Sequence, residues 1–188
     1  LRYLLDQGVV QRSGQLRSAA GRRRDELKLN SEAGFFVAAD LEGTRVRFGL
    51  TNFLGDVRYR WETPVAFGRR FEVGSFLNGV EAMLANLTER ERRRVVAMGV
   101  SYSGVIDREG RVTAVNLGWT DFPLVEKLRA MVDLPVFFGT EGLTKLLAER
   151  WLGVARNSTY CVFITVPNGV GCTMMNAAHP VLGEGGNA

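Results

Sequence analysis

Between residues 35 and 62, three successive segments alternate apolar and polar side chains, and no other feature narrows the fold as much. Phe35–Asp40 reads as the first strand. In Arg45–Asn52, Val46, Phe48 and Leu50 alternate with Arg45 and Arg47. In the third, Val57, Tyr59 and Trp61 share one face and Arg58, Arg60 and Glu62 the other. A period of two is the pattern of half-buried strands, and the short connections make them antiparallel. From residue 73 the period changes. Val73, Phe76, Leu77, Val80, Leu84 and Leu87 recur at helical spacing, and Val95–Val100 is a short apolar strand. Phe122, Val125, Leu128 and Val132 mark a second helix, Val136–Phe138 a strand, and Leu143, Leu146, Leu147 and Trp151 a third helix. Three antiparallel strands followed by alternating helices and strands define an α/β domain of about 120 residues. Tyr160–Val166 reads as another buried strand, paired with Gly171–Asn176 across Pro167–Val170.

Composition adds where the charge lies. The 188 residues carry a net charge of +4. Residues 1–30 hold seven basic and three acidic side chains, so the remainder is neutral. Leu1, Leu4 and Leu5 share a helical face that Gly8 ends. A strand (Val9–Arg12), a Ser/Gly/Arg-rich stretch (Ser13–Arg24) and a strand with Leu27 and Leu29 inward follow. A helix running into a basic-tipped hairpin looks like the tail of a winged helix-turn-helix. Its arginines, Arg12, Arg17, Arg22, Arg23 and Arg24, are candidates for DNA phosphates or a minor groove, the alternative being a solvated loop.

No apolar run approaches the roughly 18 residues of a membrane span, and no signal peptide opens the chain. Cys161 and Cys172 lack metal-ligand spacing and read as buried, reduced thiols of an intracellular, cytoplasmic protein. Both ends look cut, so three units are expected: residues 1–30 from a winged helix-turn-helix, 31–157 a first lobe, and 158–188 the start of a second.

The turns carry the chemistry. Asp40-Leu41-Glu42-Gly43-Thr44 joins the first two strands; Gly99–Asp107 reads GVSYSGVID, and Asn116-Leu117-Gly118-Trp119 follows. Gly139-Thr140 precedes the helix ending Ala148–Gly153, and Thr165–Gly171 reads TVPNGVG. In this order they resemble the ROK family (repressors, open reading frames and sugar kinases) of the actin/hexokinase-like ATPase superfamily. The resemblance covers essentially the whole chain. It implies a ribonuclease H-like lobe, with Asp40, Gly43 and Thr44 in one phosphate loop and Asn168, Gly169 and Gly171 in another. It also implies sugar contacts at Ser103, Gly104, Asn116, Gly139 and Thr140; Asn116 reads equally as a turn residue capping its own backbone.

Departures from the family pattern weaken catalysis. Where the family places its catalytic Asp the resemblance puts Thr140, a hydroxyl that is no base at neutral pH, and Gly139 stands for the preceding Asn. Losing a positioned base costs about 10²–10⁴-fold. Glu42 stands for a Gly that lets phosphate approach, and Pro167 removes an N–H donor. The family's zinc ligands would lie beyond residue 188, so no metal or other cofactor is expected within these residues. His179, the lone histidine, reads as a surface turn residue, and Trp119 and Trp151 as packing residues.

The resemblance therefore implies a sugar-responsive transcriptional regulator with a catalytically inactive kinase-like body. Its expected partners are a DNA operator, a sugar or sugar phosphate effector and further copies of itself, with no membrane. An ATP-dependent sugar kinase with an atypical site is the alternative, and a decayed, non-functional product a third.

Overall fold

The computed structural model describes residues 1–17, 23–64, 73–166, 169–177 and 179–183. A short helix α1 (Arg2–Asp6) leads into the hairpin β1 (Val10–Arg17) and β2 (Arg23–Leu29). One turn of 3-10 helix, Ser31–Ala33, connects it to β3 (Phe35–Glu42), β4 (Arg45–Asn52) and β5 (Val57–Pro64). Then come α2 (Val73–Leu84), α3 (Glu89–Arg92), β6 (Val95–Tyr102), β7 (Val105–Ile106), β8 (Val112–Ala114) and β9 (Trp119–Phe122). The chain continues through α4 (Leu124–Met131), β10 (Val136–Thr140), α5 (Glu141–Trp151), β11 (Tyr160–Thr165), β12 (Gly171–Asn176) and β13 (His179–Val181).

The central sheet has the order β10-β6-β3-β4-β5. β3, β4 and β5 are antiparallel neighbours, as their alternation requires, while β6 and β10 run parallel to β3. One face carries Phe35, Val37, Leu41, Val46, Phe48, Leu50, Met98 and Val100 into a core closed by Phe76, Val80 and Met83 of α2 and Leu124 and Leu128 of α4. Phe48 sits at the centre, its ring 5.4 Å from that of Phe76 and 5.7 Å from that of Trp61. Gly79 of α2 meets this ring directly, leaving no room for a Cβ. The opposite face is covered by α5 only along β6 and β10, and there Ala38 and Gly99 are exposed.

Hydrogen bonds tie segment 30–34 to the elements on both sides of it. Asn30 caps the 3-10 turn by accepting the Glu32 N–H (3.1 Å), and its amide donates to the Gly8 carbonyl (2.8 Å). Arg94 donates to the Glu32 carbonyl (2.9 Å).

Several sequence expectations need correction. The first strand runs to Arg17 instead of ending at Arg12, because β2 pairs along its length with a register shift between Arg12 and Gly14. Leu29 is 50 % exposed rather than inward, since the hairpin stands apart from the central sheet with α1 packed on β1. Phe122 ends β9 instead of opening α4: Pro123 follows it, and a residue before proline is steered out of helical geometry. Leu87 lies beyond α2 but is buried. Tyr160–Thr165 is a strand paired as expected, yet Tyr160, Val162 and Ile164 are exposed rather than buried, and of the two cysteines expected to be buried Cys161 is half-buried and Cys172 exposed.

Candidate functional site

The parallel strands β3, β6 and β10 end close together, and residues near their carboxyl ends line up across the sheet. Asp40 pairs with Ser101 and Ser101 with Gly139, while Arg47 on β4 faces Asp40 and Glu62 on β5 faces Arg47. One row of side chains therefore crosses all five strands: Glu62, Arg47, Asp40, Ser101 and Gly139. The next row inward, Arg60, Gly49, Ala38, Gly99 and Phe137, is small at its centre. Together with Leu143, Thr144 and Leu147 of α5, these rows line a cleft of about 890 Å³.

Asp40 anchors the polar end. Burial pushes its carboxyl above the usual range, the Ser101 hydroxyl opposes that by hydrogen bonding, and the nearby Glu42 and Glu141 carboxylates push it further up. Ser101 Oγ stands 3.1 Å from Thr144 Oγ1, which also donates toward the carbonyls of Thr140 (3.2 Å) and Glu141 (3.1 Å).

Arg47 pairs closely with Glu42 and lies 3.9 Å from Asp40 and 3.8 Å from Glu62. Glu42 is therefore not simply a bulky substitute for glycine; it occupies Arg47. Gly43 takes φ +56 in the tight turn between β3 and β4, and Thr44 beside it is exposed. Gly169, with φ +143, and Gly171, the first residue of β12, flank the β11–β12 turn. Asn168 and Pro167 lie outside the described residues.

Of the sugar-contact candidates, Gly139 lines the cleft and Thr140 caps α5, its hydroxyl accepting the Leu143 N–H (3.3 Å). Ser103 and Gly104 follow directly after Tyr102, which pairs with Thr140. Gly104 packs against β8, where a Cβ would stand 2.5 Å from the Thr113 carbonyl oxygen. Asn116 is exposed and does not line the cleft. Trp119 is buried and stacks on Phe122 (4.5 Å), whereas Trp151 is 73 % exposed and so is not the packing residue expected.

The sequence reading passed over Glu141, Thr144 and Lys145. Glu141 opens α5, acts electrostatically on Asp40 and pairs with Lys145 one turn on. The signal available was the (i, i+4) spacing of two opposite charges on the first turn of a helix that follows a site residue.

The hairpin arginines are only partly accounted for. Arg12 is 70 % exposed and pairs with Asp25 at 3.0 Å. Arg17 and Arg23 end their strands opposite one another, and Arg24 is exposed; Arg22 lies outside the described residues. His179 opens β13 as an exposed residue rather than occupying a turn. Among the described residues no three His, Cys, Asp or Glu side chains converge on a metal position, and no helix is long and apolar enough to cross a membrane.

A mixed sheet of this order, with a polar row at its parallel-strand ends, is an actin/hexokinase-like lobe, and comparison with known proteins agrees. Residues 37–188 match the ROK family, and the chain belongs to that family. It is 25% identical over 173 residues to a putative xylose repressor of Caldicellulosiruptor sp. strain Rt8B.4, covering 89% of this chain and 43% of that protein. Among solved structures, a ROK family transcriptional regulator, homologous to the E. coli MLC protein, superposes with a TM-score of 0.80 at 18% identity, over 99% of this chain and 48% of its own. A ROK glucokinase of Streptomyces griseus, in complex with glucose and AMPPNP, gives 0.72 at 21%, over 81% of this chain and 48% of its own. The chain thus spans about half the length of these relatives.

Proposed function

We propose that the chain is the sugar-sensing first lobe, with the adjoining DNA-reading hairpin, of a cytoplasmic ROK-type transcriptional regulator. The observation that carries this reading is at the amino terminus. The regulator structure matches 99% of the chain and the glucokinase 81%. The difference is the size of segment 1–36, which precedes the family match and holds the basic hairpin. A kinase has no use for such a segment; a DNA-binding protein does. Asn30 and Arg94 hold the hairpin to the lobe, so a movement of the lobe reaches the hairpin. Sugar binding in the cleft would shift the equilibrium between lobe arrangements and, in a dimer or higher oligomer, the spacing of its reading heads. Thr140, spent on capping α5, supplies no base.

The second reading, an ATP-dependent sugar kinase, has one observation in its favour. Glu141, one residue beyond Thr140 and close enough to act on Asp40, is a carboxylate that could serve as a base. Its ion pair with Lys145 and the occupation of Arg47 by Glu42 oppose that use.

The test replaces Arg22, Arg23 and Arg24 with Ala and measures binding to duplex DNA from the region upstream of the coding sequence across a salt series. Weaker binding with a shallower salt slope is expected. An unchanged slope removes the hairpin from DNA reading, and ADP release with a hexose panel selects the kinase instead.

A further inference from the structure

We propose that the cleft selects an uncharged, hydroxyl-rich sugar over the phosphate ester of the same sugar, because the protein's own carboxylates already fill the anion-facing end. This rests on the reading of the cleft as sugar-sensing and narrows it.

A phosphate monoester carries a charge of about −1.5 to −2 at neutral pH and needs unpaired cations or N–H donors. Arg47 is engaged by Glu42, with Asp40 and Glu62 within 3.9 Å. Arg45 reaches Glu62 at 3.4 Å, and Lys145 pairs with Glu141. Asp40, Glu42 and Glu62 thus surround Arg47, and Glu141 also acts on Asp40. An incoming phosphate would have to displace Glu42 and then stand among Asp40, Glu62 and Glu141. Like charges brought together in this way are strongly disfavoured.

The other usual cradle for an anion, the first turn of a helix, is partly taken as well. In α5 the Leu143 N–H is taken by Thr140 Oγ1, and the first residue is itself the carboxylate Glu141. Among the described residues, Arg60 is the other basic residue lining the cleft besides Arg47. It stands on the edge strand opposite Gly49, one row away from the polar end.

A neutral polyol meets different chemistry. Asp40 and Glu141 can accept hydrogen bonds from its hydroxyls, while Ser101 and Thr144 can donate or accept. None of these contacts requires an ion pair to break.

The experiment is isothermal titration of the intact protein with D-xylose, D-glucose and N-acetyl-D-mannosamine, each compared with its terminal phosphate ester. At least one neutral sugar is expected to bind, with its ester weaker by about tenfold or more. Replacing Glu42 with Gly should narrow that gap to about threefold or less and leave the neutral sugar within about twofold. Glu42→Gln, which keeps the side chain's shape, should narrow it in the same direction. An ester that binds as tightly as its parent, or a gap that neither variant changes, overturns the proposal while leaving the sensor reading intact. Binding of no sugar in either form overturns the sensor reading, and the proposal with it.

Discussion

The Ser101 hydroxyl holds the Asp40 carboxylate across the junction of two parallel strands. This bond couples β6 to a half-buried acid of the cleft.

Asp40 is more easily protonated in the folded protein than in the unfolded chain, because burial raises its pKa above 3.8. The folded state therefore loses stability as pH rises from 3.8 through the raised value, and the full penalty remains at neutral pH. Removing the Ser101 hydroxyl raises the pKa further. Ser101→Ala should cost about 1 kcal/mol at pH 7 and progressively less as pH falls below the raised value and Asp40 becomes protonated. Asp40→Asn should abolish this difference. Thermal denaturation across that range is the check; an equal loss at both ends would contradict the assignment.

Gly79→Ala tests the core. Alanine favours a helix by about 1 kcal/mol over glycine, but here its methyl would overlap the Phe48 ring, which is 2 % exposed between Phe76 and Trp61. Overpacking of this kind costs about 1–3 kcal/mol, so the melting temperature should fall, by several degrees at the upper end. A rise would mean that the ring has room to turn.

Thr140 has a structural task that a change of residue can isolate. Thr140→Ala removes the N-cap of α5 and should cost about 1 kcal/mol in a denaturant titration, whereas Thr140→Ser should cost little. A Ser variant as unstable as the Ala variant would show that the hydroxyl is not what matters.

In the hairpin, charge and stability should separate. Arg12 and Asp25 form an exposed pair, so Arg12→Ala should leave the melting temperature nearly unchanged. It should nevertheless lower the slope of DNA affinity against salt by about 0.9 if Arg12 meets one phosphate. A large loss of stability with an unchanged slope would make Arg12 a scaffold residue.

The central sheet was legible because alternation and apolar runs report on faces buried by the chain itself. β3, β4 and β5 follow from the arginines and glutamates set between Val46, Phe48, Leu50 and their neighbours. The sheet β7-β8-β9 was not legible, because strands of two to four residues carry no period. β11 was misread for a different reason. Tyr160, Val162 and Ile164 are apolar, but nothing among the described residues covers them, so an apolar run does not by itself give burial.

At the site, Asp40 and Gly139 could be placed from their turns, since both end strands that must converge. The ion pairs of Glu42 with Arg47 and of Glu141 with Lys145 could not all be read in the same way. Glu141 and Lys145 are one helical turn apart and so visible in principle, whereas Glu42 and Arg47 meet only because β3 and β4 fold back on each other at Gly43.

The central claim is that the cleft and the hairpin belong to one sugar-controlled DNA-binding protein. The most direct measurement is fluorescence anisotropy of the intact protein on duplex DNA from its own upstream region, titrated with neutral sugars at fixed salt, with ADP release followed in parallel. A change of about tenfold or more in DNA affinity with one sugar, and no ADP above background, is the expected result. Sugar-dependent ADP release by a protein that does not bind the DNA would contradict it.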